Sequence, residues 1–124
     1  MDILKSESIH KELDKLETIS EIIGTALVNR NGLLISSRLP RDVDDRKFGA
    51  MAATMFSAIE TSALTLGKRT VSNLTVEYSE FQLVVLGVDR SMILVSLLKY
   101  NSNLGLIFIE IEESIKKIKK ILSG

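Results

Sequence analysis

Few residues of this 124-residue chain have the types and spacing that chemistry needs. Gly67-Lys68-Arg69-Thr70 has the Gly-Lys pair of a phosphate-binding loop. Ser62, however, stands where that loop needs its earlier glycine, and the segment closes a helical stretch instead of opening one. A glycine in that place reads as a left-handed helix C-cap. Asp42, Asp44 and Asp45 suggest a cation loop, yet the position two beyond Asp44 is Arg46, and the remote Glu of a calcium loop would fall at Ala53. The single His10 lies beside an apolar helical stripe with no second His to make a metal pair, and reads as a surface residue. With no Cys, thiolate nucleophiles, Cys-based zinc sites and disulfides are excluded. Asn73-Leu74-Thr75 fits the glycosylation triplet, a pattern that arises easily by chance. No acid, base and nucleophile come together, so the expectation is a binding protein, not an enzyme, with no cofactor and no metal.

Composition narrows the partners. Sixteen Lys and Arg balance sixteen Asp and Glu. That neutrality removes the counterion-release term on which nucleic-acid binding depends, so nucleic acid is not expected. The opening MDILKSESIHKEL lacks the apolar run of a signal peptide, and the longest apolar runs, such as Met92 to Val95, are far too short for membrane insertion. A cytoplasmic domain spanning residues 1–124 is expected.

The elements that must position any binding surface follow from periodicity. Ile9, Leu13 and Leu16 mark a helix from about Ser6 to Glu17. Ile22 to Val28 and Leu33 to Ser37 read as a hairpin turning at Asn31-Gly32, where both residues are expected at positive φ. A long helix from about Asp44 to Leu66 follows, and then strands at Thr70 to Tyr78, Phe81 to Val88 and Met92 to Tyr100. The last helix, Leu104 to Leu122, carries the stripe Leu104, Phe108, Ile111, Ile115, Ile118 and Leu122. The order is α-β-β-α-β-β-β-α. LVVLGV and MILVSLL are almost continuously apolar, so both faces of the sheet must be covered. The expected fold is an α/β (α+β) sandwich: a five-stranded antiparallel sheet with the two terminal helices on one face and the long middle helix on the other.

The middle helix raises a further question, because its text, GAMAATMFSAIETSAL, is so rich in small residues. At about 100° per residue it has two faces. Phe48, Ala52, Met55, Ile59 and Leu66 form the larger one, suited to cover the sheet. Gly49, Ala53 and Ser57 form a small-residue ladder, with Ala50, Thr54 and Ala58 beside it, across which another backbone can approach closely. That backbone is either the chain's own sheet or a second copy. The strand after the helix is the most polar of the last three and resembles an edge, with Asn73, Thr75 and Glu77 alternating with Leu74 and Val76. Pairing of that edge with its twin would set two such helices side by side, making these helix and strand residues a homodimer interface. On that reading Ala53→Arg breaks the dimer. Arg38, Arg41 and Arg46 cluster before the helix; they read as solvated charges, or as the rim of a partner contact.

The text ALVNRNGLLISSRLP at Ala26 to Pro40, AATMFSAIE at Ala52 to Glu60 and NSNLGLIFIEIEESIKKI at Asn101 to Ile118, with this element order, resembles the roadblock or dynein light chain 7 family, in its bacterial and archaeal GTPase-regulator type. The resemblance covers nearly the whole chain. It implies dimerisation through the third strand and second helix into one continuous sheet, and service as a platform for small Ras-like GTPases, the partner supplying the nucleotide site and any magnesium. No catalytic motif carries over. The alternatives are a structural adaptor indifferent to nucleotide and, less favoured, a small-molecule sensor.

Overall fold

A computed structural model describes residues 2–67 and 70–124. Lys68 and Arg69, which belong to the Gly67-to-Thr70 segment weighed above as a phosphate loop, lie outside the described residues. The elements are α1 (Ile3–Glu17), β1 (Ile22–Asn29), β2 (Leu34–Arg38), α2 (Asp45–Thr65), β3 (Leu74–Glu77), β4 (Phe81–Gly87), β5 (Met92–Lys99) and α3 (Leu104–Ser123). The strands make one sheet in the order β2-β1-β5-β4-β3, with every neighbouring pair antiparallel.

Side-chain acceptors start each helix. Asp2 accepts from the Lys5 amide at 2.8 Å, Asp44 from Lys47 at 3.1 Å and Asn103 from Leu106 at 3.4 Å, each engaging a donor that the first helical turn leaves without a partner. The Asp2 cap extends α1 a turn earlier than the expected Ser6. Gly67, at φ +74°, follows the end of α2 in the left-handed conformation that glycine tolerates. At the first hairpin only Gly32 is at positive φ, +93°, and not Asn31. Gly32 N–H donates to Asn29 O and Asn29 N–H to Leu33 O, both at 2.8 Å, so this is a three-residue turn closed by a left-handed glycine and not the two-residue turn expected. β3 is also shorter than the expected Thr70 to Tyr78, because pairing with β4 runs only from Leu74↔Val85 to Glu77↔Gln82.

The continuously apolar strands are sandwiched as anticipated. Ala26, Val28, Leu83, Val85, Ile93 and Val95 point to one face, where Ala52, Ala53 and Phe56 of α2 cover them. Leu27, Val84, Leu86, Leu94 and Leu98 point to the other, under Ile9, Leu13 and Leu16 of α1 and Ile107, Ile111, Ile115 and Ile118 of α3. Successive residues of one strand therefore serve two cores.

The inner face of α2 differs from the expected one. Gly49, Ala52, Ala53 and Phe56 are buried, Phe48 and Met55 sit at the margin, and Ile59 and Leu66 are 39% and 74% exposed. Phe56 is the large side chain that fills the core, and the small residues beside it let the helix axis come close to β1. A Cβ added at Gly49 would stand only 3.2 Å from Val28 Cγ2.

Arg30, in the β1–β2 turn, holds the far half of α2. Its Nη1 donates to the Glu60 carboxylate, its Nε and Nη2 to the Asp89 carbonyl at 3.2 and 2.9 Å, and its guanidinium lies 5.5 Å from the Phe56 ring centroid. One side chain thus ties the first hairpin, the β4–β5 turn and α2 together.

Two outcomes are expected. Gly49→Val overpacks against Val28 and lowers unfolding free energy by about 1–3 kcal/mol in urea titration, while Gly49→Ala stays within about 1 kcal/mol of the parent, because Ala's better helix propensity offsets the tight contact. Arg30→Ala speeds amide exchange in the last two turns of α2 and at Asp89 to Met92, and Arg30→Lys does not restore protection, since an ammonium cannot serve both acceptors and the ring in that fork geometry. Unchanged exchange in Arg30→Ala would show that the latch carries no stability.

Candidate interaction surface

α2 packs principally across β1, β2 and β5. The outermost strand of the same sheet face, β3, is consequently roofed less completely: Leu74 and Val76 there are only half-buried, as is Leu97 near the end of β5, whereas Leu83 and Val85 of β4 are fully buried. Leu74 and Val76 pair with Val85 and Leu83 and so point to the α2 face, whereas Thr75 and Glu77 are exposed. β3 is an edge of the sheet, as its polar alternation indicated.

The outer side of α2 carries an apolar and small-residue strip. Met51 is 58% exposed, and Thr54, Ser57 and Ala58 are open to solvent. The Thr54 hydroxyl donates to the Ala50 carbonyl one turn back at 2.9 Å, which engages its polar atom within the helix. Leu64 and Leu66 extend the exposed apolar surface toward the helix end. Between the β1–β2 turn and this strip runs a shallow groove of about 270 Å³, lined by Arg30, Asn31, Gly32, Ala50, Ala53, Thr54 and Ser57.

The small-residue ladder therefore divides. Gly49 and Ala53 pack on the chain's own sheet, Ala53 being only 4% exposed, while Ala50 is half-buried and Thr54, Ser57 and Ala58 look outward. An arginine at Ala53 would be forced into the protomer's own core, so that substitution cannot report on dimerisation alone.

The three arginines expected at one rim are not together. Arg38 Nε lies 2.7 Å from Asp14 Oδ1 and 2.9 Å from Glu17 Oε2, which places its side chain on the α1 face, at the sheet edge opposite β3. The cause is strand alternation: Ser37, one residue earlier, points to the α2 face and donates to Asp45 Oδ2 at 2.9 Å. Arg41 and Arg46 are exposed. His10 lies at the surface, 3.3 Å from Ser36 Oγ. No group of three or more metal-ligating side chains occurs among the described residues, and none of their helices is long and apolar enough to cross a membrane. Arg30 is the residue that sequence reasoning missed. Its partner Glu60 is thirty positions away, and no local pattern links them.

Comparison with known proteins adds the lineage. The Roadblock/LC7 domain profile matches residues 9–97. The Methanocaldococcus jannaschii protein MJ1340 is 36% identical over 108 residues, covering 87% of this chain and 91% of its own. Among solved structures, Myxococcus xanthus MglB superposes with a TM-score of 0.91 at 23% identity, covering 99% of this chain and 93% of that one. A Roadblock/LC7 domain from Streptomyces avermitilis gives 0.87 at 16% identity, covering 93% and 98%. With a profile match over most of its length, a curated relative aligned over nearly nine-tenths of it, and the five-stranded sandwich described above, the chain belongs to the Roadblock/LC7 domain family.

Proposed function

We propose that this chain is a non-enzymatic, homodimeric regulator or scaffold of a small Ras-like GTPase, which it engages on the surface formed by two adjoining copies of α2. The observation that carries the reading is the open β3 edge with its half-buried Leu74 and Val76, on the sheet face that α2 covers, together with a helix whose outward side chains are small or apolar. A second copy placed there pairs β3 with β3, covers both half-exposed ends and brings the two α2 strips together. Isologous pairing of this kind satisfies both copies' edges with one contact. Family membership, and the likeness of the fold to MglB, support the choice of a GTPase as the partner.

The chain's own contribution is positional. Arg30 is engaged by Glu60 and the Asp89 carbonyl, and Arg38 by Asp14 and Glu17, so neither guanidinium is free to enter a nucleotide site without breaking its ion pair. A regulator with this surface acts by holding the partner's switch segments in one arrangement, using differential affinity for the two nucleotide states.

Sedimentation at tens of micromolar should give a dimer. Ala58→Arg, on an exposed position where the protomer tolerates it, should give a folded monomer, because the long charged side chain falls between the paired helices. A monomeric parent chain, or an unaffected dimer in the variant, would falsify the interface.

The immobilised chain should retain a GTPase from its native lysate with an affinity that differs between GDP and a non-hydrolysable GTP analogue. Equal retention would instead mark a structural adaptor. With that GTPase in hand, Arg41→Ala and Arg46→Ala should leave single-turnover hydrolysis at saturating regulator within about tenfold of the parent, whereas loss of an inserted arginine finger costs about 10³ or more.

A further inference from the structure

The inward stripe of α2 continues past the end of its own sheet. Ala52, Phe56, Ile59, Ala63 and Leu66 follow one another at spacings of four and three, but Phe56 is the last of them to be buried. From Ser57 to Gly67 no residue is buried and only Glu60 and Ala63 are partly so, which leaves the last ~2.5 turns of the helix uncovered. This stretch, SAIETSALTLG, has Glu60 as its one charged residue, whereas a helix end that meets water on all sides ordinarily carries several. Arg30 tethers it by joining Glu60 to the Asp89 carbonyl. The overhang therefore lies at the end of the sheet where β4 turns into β5.

The opposite end of the same sheet face has the complementary defect. Tyr78 N–H donates to Phe81 O at 2.7 Å, closing the turn from β3 to β4, and alternation from Val76 and Leu83 sets both rings on the α2 face. Tyr78 is 45% and Phe81 40% exposed, and Leu97, near the end of β5, is half-buried. Exposed aromatic rings on a rigid strand end supply large contact area at little cost in side-chain freedom.

Within one chain these two features cannot meet, because β4 runs from Phe81 at one end of the sheet to Gly87 at the other. Antiparallel pairing of β3 with its twin turns the second sheet end for end about a two-fold axis. The aromatic corner of each copy then stands beside the helix overhang of the other. We infer that in the β3-paired dimer Ile59, Ala63 and Leu66 of each copy roof the partner's Tyr78 and Phe81. The inference rests on the proposed dimer and adds a reciprocal contact to it: α2 covers its own sheet with its first half and its twin's sheet with its last turns. The two-fold axis forms both contacts at once.

The absence of native Cys allows a direct test. Ala63→Cys chains and Phe81→Cys chains, refolded together and treated with a short bis-maleimide, should give a covalent heterodimer, and either variant alone should give little. Ser57→Cys alone, on the outer side of α2, should link to its own twin and so reports on the dimer itself. A Ser57 link without an Ala63–Phe81 link would overturn the inference, leaving the dimer standing and the aromatic corner free for the GTPase. Linking of Ala63→Cys to itself as efficiently as to Phe81→Cys would also overturn it, because that sets the two helix ends together. Loss of both links in a chain that sediments as a monomer would defeat the dimer reading and this contact with it. Phe81→Asp, at an exposed strand end, should raise the dimer dissociation constant at least about tenfold with unchanged circular dichroism. An unaltered constant would contradict the contact.

Discussion

Ala26, Leu27 and Val28 stand in succession on β1 without solvent access, as do Leu83 to Val85 on β4 and Ile93 to Val95 on β5. Because neighbours on a strand point to opposite faces, a strand of this kind is stable only where both faces are covered. That requirement places α1 and α3 on one side and α2 on the other, and it puts the most apolar strands in the middle of the order β2-β1-β5-β4-β3. The more polar β2 and the short β3 are left at the edges.

The two covers are unequal, and from that inequality the interaction surface follows. Two helices share the α1–α3 face, whereas α2 alone must roof the other and lies toward β1, β2 and β5. Its small residues at Gly49 and Ala53 permit close approach to β1, and Arg30 fixes its far half through Glu60. A helix held this firmly over β1, β2 and β5 leaves the outermost strand, β3, incompletely covered. What remains is a half-buried apolar strip beside an open edge, a geometry that a second copy completes.

All eight elements were legible in the sequence because each carries its own local signal: heptad-like stripes in α1 and α3, Asn-Gly at the first turn, acidic residues before α2, and polar breaks between the last strands. The edge position of β3 was legible too, from the alternation of Asn73, Thr75 and Glu77 with apolar neighbours. What was not legible depends on partners distant in sequence. Two adjacent stripes of α2, one through Phe48, Met55 and Ile59 and the other through Gly49, Ala53 and Phe56, are both apolar enough to pack, and only the shape of the sheet beneath selects the second. Arg38 joined a basic cluster by proximity in the chain, but strand alternation turned it to α1. The periodicity of the small-residue ladder does not tell its own sheet from a second copy, and the fold divides it between the chain's own sheet and solvent.

Pairing through β3 makes a geometric demand that spin labels can read directly, since the chain has no native Cys to interfere. With Ser57→Cys labelled on the outer side of α2, dipolar spectroscopy should find the two labels close together, across helices whose axes pack at about 8–10 Å. With exposed Leu33→Cys labelled beside β2, the separation should be on the order of 40 Å, the width of nine strand spacings in one continuous sheet. Labels close at Leu33 and distant at Ser57 would contradict the arrangement, because they would place the second copy on β2 and leave the α2 surfaces unpaired.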